Sequence, residues 1–364
     1  MTASKLAKLV TDLKSQFGDE AVKFASEVEL QPSISSGSLA LDFAIGKGGF
    51  PSDRVIELAG EENCGKTTLS LLAVTKFLDA QPDRGALILD MEHKLSTEWV
   101  EQLVGTERME RVIYAQPDHI EQATNIYRAA VSSGQICIAV LDSIGGAPTI
   151  RRNDNAEVAS YGGNSLGVGE FARAAAVLSA NRRCLTIGIN QTRADMDGYH
   201  RMNTPGGRAW KHAVILRIQL KKSTRETIER TINGEKIIVG HAVYAKVFKN
   251  QLAPGGRTAM WWFYSVPTEE FGFGVDTMDE IVRLGIITGV IRQSGGWYSH
   301  PALPEDKKGD HKVNGLATLK KVIFADESLK ATLVSEILPR LGDHASEVAP
   351  ISDPDAPIED SMPA

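Results

Sequence analysis

The sequence predicts an α/β fold: a core with a central, mostly parallel sheet covered by helices on both faces, an N-terminal helix, and a small C-terminal α/β domain. Three observations lead there. From Val55 onward, short unbroken apolar strands alternate with helices, the pattern of a parallel sheet buried on both sides. A glycine-rich loop ending in Gly65-Lys66-Thr67 follows one strand and opens a helix. Two further strands end in or near a carboxylate, Asp90-Met-Glu92 and Asp142.

The elements follow in order. Ser4–Gly18 reads as an amphipathic helix, with Leu6, Leu9, Val10, Leu13 and Phe17 on one face and Gly18 suited to the C-terminal cap. Its apolar face needs a cover, either the chain's own core or a neighbouring subunit. Arg54–Leu58 is a strand, Thr67–Leu78 a helix, Ala86–Asp90 a strand and Ile120–Ser133 a helix. Ile136–Asp142 is a buried strand, Gly169–Arg183 a helix and Leu185–Asn190 a strand. Val214–Lys221 and Ile237–Phe248, turned at Asn233-Gly234, predict an antiparallel pair, and Trp261–Tyr264 a further strand. After Pro267 the pattern becomes mostly helical and more basic. From Gly342 the chain is rich in Pro, Asp and Ser, a composition expected to be disordered.

The length of 364 residues allows one large domain or two to three smaller ones, and 42% apolar with 24% charged residues is ordinary globular usage. No apolar run approaches the roughly 20 residues that a bilayer requires. Met1–Phe17 alternates polar and apolar residues rather than reading as a signal peptide. Cys64, Cys137 and Cys184 are far apart, which argues against zinc and a disulfide framework and fits a reducing, cytoplasmic setting. The six acids of Gly342–Ala364 (Asp343, Glu347, Asp353, Asp355, Glu359, Asp360) equal the whole formal charge of −6, leaving a neutral body that can carry a local basic groove. The tail either competes with nucleic acid for that groove or merely keeps the chain soluble.

Gly60, Glu61, Glu62, Asn63, Cys64, Gly65, Lys66, Thr67 and Thr68 complete the pattern G-x-x-x-x-G-K-[ST]. Backbone N–H groups of such a loop, with the helix N-terminus behind it, cradle phosphate oxygens. Lys66 is expected to reach the β and γ phosphates of ATP, and Thr67 to ligate Mg²⁺. Asp142, ending its strand, is the expected second Mg²⁺ residue, with Ser143 beside it in the nucleotide site. Glu92 either polarises the attacking water as general base or is an exposed loop acid. Gln191, at the next strand end, is placed to touch the γ-phosphate and report its presence to the loop that follows.

From about Phe17 to Leu341 these residues resemble one family, the bacterial RecA recombinases. The likeness is carried by Ser36–Asp42 with Gly46–Pro51, Asp90-Met-Glu92-His93, Asn190-Gln191-Thr-Arg193, Gly206-Gly207 with Ala209 and Lys211, Val247–Asn250 and Gly296–Ser299. The resemblance implies a RecA-like P-loop NTPase core, with Glu92 the match for the catalytic glutamate. It implies a homo-oligomeric filament on single-stranded DNA, ATP between subunits, and pairing with homologous double-stranded DNA followed by strand exchange. It extends to recombination, repair and the SOS response, with single-strand-binding protein and loading mediators as further partners. The implied division is 1–30 for oligomerisation, 31–266 for the ATPase core, 267–341 for duplex binding and 342–364 for the acidic tail. DNA loops are implied near 153–166 and 193–208. Arg193, Arg201, Arg208 and Lys211 would contact phosphates, Gly206 and Gly207 end the second loop, and Met196 matches an apolar wedge between bases. Trp99 and Tyr264 match aromatics on either side of the adenine. Lys249 matches a lysine that reaches across the subunit interface to the γ-phosphate.

The chain departs from the family at Gln251, where a second such lysine stands; at His212, where a Phe packs into the adjacent subunit; and at Ser96, where an Asp contacts the adenine amino group. The first DNA loop also matches loosely, with Tyr161–Ser165 replacing a more charged stretch. Two other readings compete: a hexameric helicase motor with the same core, and a DNA-coating mediator with little turnover.

Overall fold

The computed structural model describes residues 3–18, 21–29, 31–149, 163–192, 204–232, 234–268 and 272–344. Helix α1 (Ala3–Phe17) leads to a short strand β1 (Ser33–Ile34), helix α2 (Leu39–Ile45) and strand β2 (Phe50–Pro51). The core continues as β3 (Val55–Gly60), α3 (Lys66–Ala80), β4 (Gly85–Asp90), α4 (Thr97–Val104), β5 (Val112–Ala115), α5 (Ile120–Ser132), β6 (Ile136–Asp142), α6 (Gly163–Arg182) and β7 (Leu185–Gln191). Then come α7 (Gly207–Ala213), β8 (Leu216–Ile232), β9 (Glu235–Asn250), β10 (Thr258–Thr268) and β11 (Gly272–Val275). The last part holds α8 (Thr277–Ile287), β12 (Arg292–Ser294), β13 (Trp297–Ser299), β14 (Lys312–Asn314), α9 (Leu316–Ala325) and α10 (Glu327–Arg340).

A nine-stranded sheet runs β11-β10-β9-β8-β3-β7-β6-β4-β5. Strands β8, β3, β7, β6, β4 and β5 are mutually parallel, whereas β9, β10 and β11 extend the sheet antiparallel. Both faces are covered, so β3 reads as an unbroken buried run. Ile56 and Leu58 pack with α3 (Phe77, Leu78) on one face, while Val55 packs with Tyr127, Phe171 and Trp210 on the other.

The anticipated strands and helices of the core are present to within a few residues, except that the helix expected from Gly169 begins at Gly163. The hairpin is much longer than expected because four residues, Ser223–Glu226, are accommodated between Lys222↔Val243 and Thr227↔His241. That irregularity interrupts the alternation a sequence reading depends on. Gly234 at its tip has φ +85°, the left-handed conformation that such a tight turn demands.

Elements after β11 surround their own apolar cluster, including Ile281, Leu284, Leu319, Leu333 and Ile337. A buried carboxylate is one of their ties to the core. Glu280 accepts hydrogen bonds from Ser38 Oγ (2.6 Å) and from the backbone N–H groups of Leu39 (3.0 Å) and Ala40 (3.3 Å). These donors open α2, where a carboxylate is favoured by otherwise unpaired N–H groups. On α1, by contrast, Leu6, Leu9 and Phe17 remain exposed. No helix among the described residues is long and apolar enough to cross a membrane.

Candidate active site

The sheet register builds the site. Gly60 lies opposite Gln191, and Asp90 opposite Asp142, at the carboxyl ends of four adjacent parallel strands. Open parallel sheets bind ligands at this edge. The loop 61–65 rises from β3 and ends with Gly65 at φ +89° as the N-cap of α3. At Gly60 the reason for glycine is close approach: a Cβ there would lie 2.3 Å from the Leu220 carbonyl oxygen. Gly60→Ala is therefore expected to displace the loop and weaken nucleotide binding by at least about tenfold, measured by titration, with the fold retained.

Thr67 Oγ1 donates to Asp142 Oδ2 at 2.7 Å. Burial pushes the Asp142 carboxyl up to about 6, against the lowering effect of the Thr67 hydroxyl. A hydroxyl beside a desolvated carboxylate is a hard oxygen pair that suits Mg²⁺, which usually takes one or two protein ligands and completes its shell with phosphates and water. Lys66 is 8% exposed and its ammonium donates to the Gly60 (3.1 Å) and Glu61 carbonyls. A buried cation resting on two loop carbonyls fits a site whose natural partner is an anion.

Glu92 is held from three sides. Its Oε1 accepts from Ser143 Oγ (2.7 Å) and Gln191 Nε2 (3.3 Å), and its Oε2 accepts from Lys94 (3.1 Å). The exposed-acid alternative for Glu92 is thus not what the structure has. These side chains line a cavity of about 220 Å³ together with Lys66, Thr67, Asp90 and Asp142.

Asp90 was legible only as part of a motif, but it sets the loop that carries Glu92. Its carboxylate accepts the Glu92 and Leu95 N–H groups (both 3.1 Å) and the Tyr114 hydroxyl (2.7 Å). Burial, reinforced by that bond to Asp90, raises the Tyr114 hydroxyl to about 12. Lys94, too, was missed, because a lone lysine in a polar loop carries no sequence signal.

A second cleft of about 550 Å³ continues from Lys66 and Thr67 past Trp99 to His241, Phe263 and Ser265. Trp99 stands edge-on to Phe273, centroids 4.6 Å apart. Tyr264, the second expected aromatic, sits apart from this cleft of its own chain; the neighbours on either side of it in β10 line it. Successive residues of a strand face opposite sides, and Tyr264 is buried where Asp276, Lys320 and Arg230 set its electrostatic surroundings.

Of the DNA-contact expectations, Arg193, Met196 and Arg201 lie outside the described residues, as does 153–162 of the first loop. Gly206 (φ +104°) and Gly207 (φ +70°) open α7, where Arg208 is exposed and Lys211 half-buried. Lys249 is not in the cleft of its own chain. Its ammonium caps the C-terminus of α7 by donating to the Lys211 (3.0 Å) and Val214 carbonyls. His212 and Gln251 are exposed.

Beneath the site lies a polar cluster the sequence did not reveal. Glu57, fully buried in β3, accepts from Asn190 Nδ2 (2.7 Å), Trp210 Nε1 (3.0 Å) and the Arg217 guanidinium. Asn190 also donates to the Pro205 carbonyl (2.9 Å), and Arg217 to Thr204 Oγ1 (2.9 Å). One buried carboxylate therefore joins the strand under the phosphate loop to the chain just before α7.

A model of the RecA N-terminal domain family matches residues 4–264. A RecA protein of Porphyromonas gingivalis is 32% identical over 338 residues, covering 89% of this chain and 90% of that one. One from Acinetobacter baylyi is 28% identical over 351 residues, covering 94% of each. A solved RadB recombinase covers 62% of this chain and 94% of its own at 18% identity, with a TM-score of 0.48.

Proposed function

This chain belongs to the bacterial RecA family, and from that premise we propose that it is an ATP-dependent DNA recombinase whose hydrolytic site is the Lys66, Thr67, Asp142, Glu92 and Gln191 cluster. The observation that carries the reading is the convergence of Glu92, Ser143 and Gln191 with Thr67 and Asp142 at the ends of adjacent parallel strands. Lys66 turns from the loop carbonyls to the phosphates. Mg²⁺ at Thr67 and Asp142 supplies neutralising charge when bound. Glu92, steadied by Ser143, accepts the proton of the attacking water. Gln191, already bonded to Glu92, transmits the state of the site into the segment that follows β7. Lys249 acts on the site of a neighbouring subunit, since it lies outside its own.

The exposed face of α1 suits a second copy of the chain in a filament, with 1–30 as the oligomerising segment. The cationic residues of 193–208, with Arg208 and Lys211, suit single-stranded DNA phosphates of any sequence. The part from 267 to 341 suits double-stranded DNA, with the acidic tail as its competitor, and single-strand-binding protein and mediators as loading partners in the cytoplasm. The relatives' names favour neither the helicase nor the mediator alternative.

The test is ATP hydrolysis with and without single-stranded DNA, wild type beside Lys66→Ala, at moderate salt. Strong stimulation, reduced at least about 100-fold by the substitution, is the expected result. Hydrolysis indifferent to DNA would break the recombinase reading.

A further inference from the structure

The far end of the nucleotide cleft holds side chains that neither phosphate binding nor hydrolysis uses. His241 on β9 lies opposite Phe263 on β10, with ring centroids 5.2 Å apart. His241 is 3% exposed, yet its Nε2 has no hydrogen-bond partner among the described residues. Native proteins seldom leave a buried polar atom unpaired without a reason. Lys222 enters the same cleft from β8, immediately before the irregularity at Ser223–Glu226. Such breaks in a ladder re-aim side chains beside functional sites. Lys222 is exposed, and no hydrogen bond or ion pair among the described residues engages its ammonium. Ser96, across the cleft, already has its hydroxyl oxygen committed as the N-cap of α4, accepting the Trp99 N–H at 3.1 Å.

We propose that His241 and Lys222 are the base-reading pair of this cleft, and that they admit guanine-type bases alongside adenine. The inference rests on reading the cleft as the nucleotide site. Its chemistry is that of donors and acceptors. Adenine presents an amino group where guanine presents a carbonyl oxygen. The three hydrogens of the lysine ammonium only donate, so Lys222 favours the carbonyl. A neutral imidazole both donates and accepts, so His241 serves either base. Burial first, and the charge of Lys222 second, push the His241 pKa down to about 4, which keeps the ring neutral near pH 7. Among the described residues, no carboxylate lines this end of the cleft to single out the adenine amino group.

The experiment displaces a fluorescent ATP analogue from the full chain with ATP or GTP. Wild type is compared with Lys222→Gln, His241→Phe and Lys66→Ala. The expected wild-type affinities for the two nucleotides lie within about tenfold of each other. Lys222→Gln shifts their ratio about tenfold toward ATP, because it removes the charged donor. His241→Phe preserves the ring volume and weakens both nucleotides alike. A wild type that holds GTP more than about 100-fold more weakly than ATP would overturn the proposal. So would a ratio that Lys222→Gln leaves unmoved while probe binding still depends on Lys66. Probe binding that survives Lys66→Ala would instead overturn the nucleotide reading of the cleft, and the pair with it.

Discussion

Glu92→Gln is expected to lower the DNA-stimulated ATPase rate by about 10²–10⁴-fold, the usual worth of a positioned general base, while ATP is still bound. The variant is nearly isosteric. It keeps an oxygen to accept from Ser143 Oγ and Gln191 Nε2, the two contacts that seat the side chain. What it loses is the capacity to take a proton, together with the ion pair to Lys94. Lys94 is exposed, so that pair is worth little by comparison. Single-turnover hydrolysis beside a binding titration separates the effects. A rate within a few-fold of wild type, at saturating ATP, would remove Glu92 from the chemistry and leave it a structural partner of Ser143 and Gln191.

The second large effect lies below the site. Arg217→Met strands the Glu57 carboxylate, which is completely enclosed, while the Arg217 side chain itself is 13% exposed. Leaving one member of a buried charged pair alone typically costs about 3–5 kcal/mol. The urea midpoint of Arg217→Met should fall accordingly, with the dependence on denaturant little changed. Glu57→Gln with Arg217→Met should recover part of the loss, because a neutral amide tolerates burial better than an unpaired charge. A single variant as stable as wild type would mean that Asn190 and Trp210 suffice to hold the carboxylate. Since Asn190 and Arg217 also bond Pro205 and Thr204, the same variant should blunt the response of ATP hydrolysis to DNA.

The phosphate loop, the apolar strands and the alternation of strand and helix were legible in the chain because each is a local pattern. A nest of backbone N–H groups needs Gly60, Gly65, Lys66 and Thr67 at fixed spacing, and a doubly covered strand must be apolar throughout. Asp142 and Gln191 could be placed for the same reason: a strand end announces the catalytic edge of a parallel sheet. Glu92 was half legible. Its distance from the strand end was readable, but the choice between exposed acid and seated base depended on Ser143 and Gln191, which are remote in sequence.

The position of Tyr264, expected from the resemblance alone, needed the structure. An aromatic run Trp261–Tyr264 does not say which of two adjacent residues faces the cleft, and a one-residue difference moves a side chain to the other side of the sheet. The extended hairpin was hidden by Ser223–Glu226, where the ladder slips and alternation lapses.

By itself, then, the sequence determined the fold class, the phosphate-loop motif and the family, all of which rest on short motifs and periodicity. Only the tertiary structure decided which face Tyr264 takes, how Glu92 is held, and that Glu57 gathers Asn190, Trp210 and Arg217 from more than 130 residues away. The physical reason is the same in each case. A buried polar group is defined by the partners that satisfy it, and those partners are brought together by sheet register, not by neighbourhood along the chain.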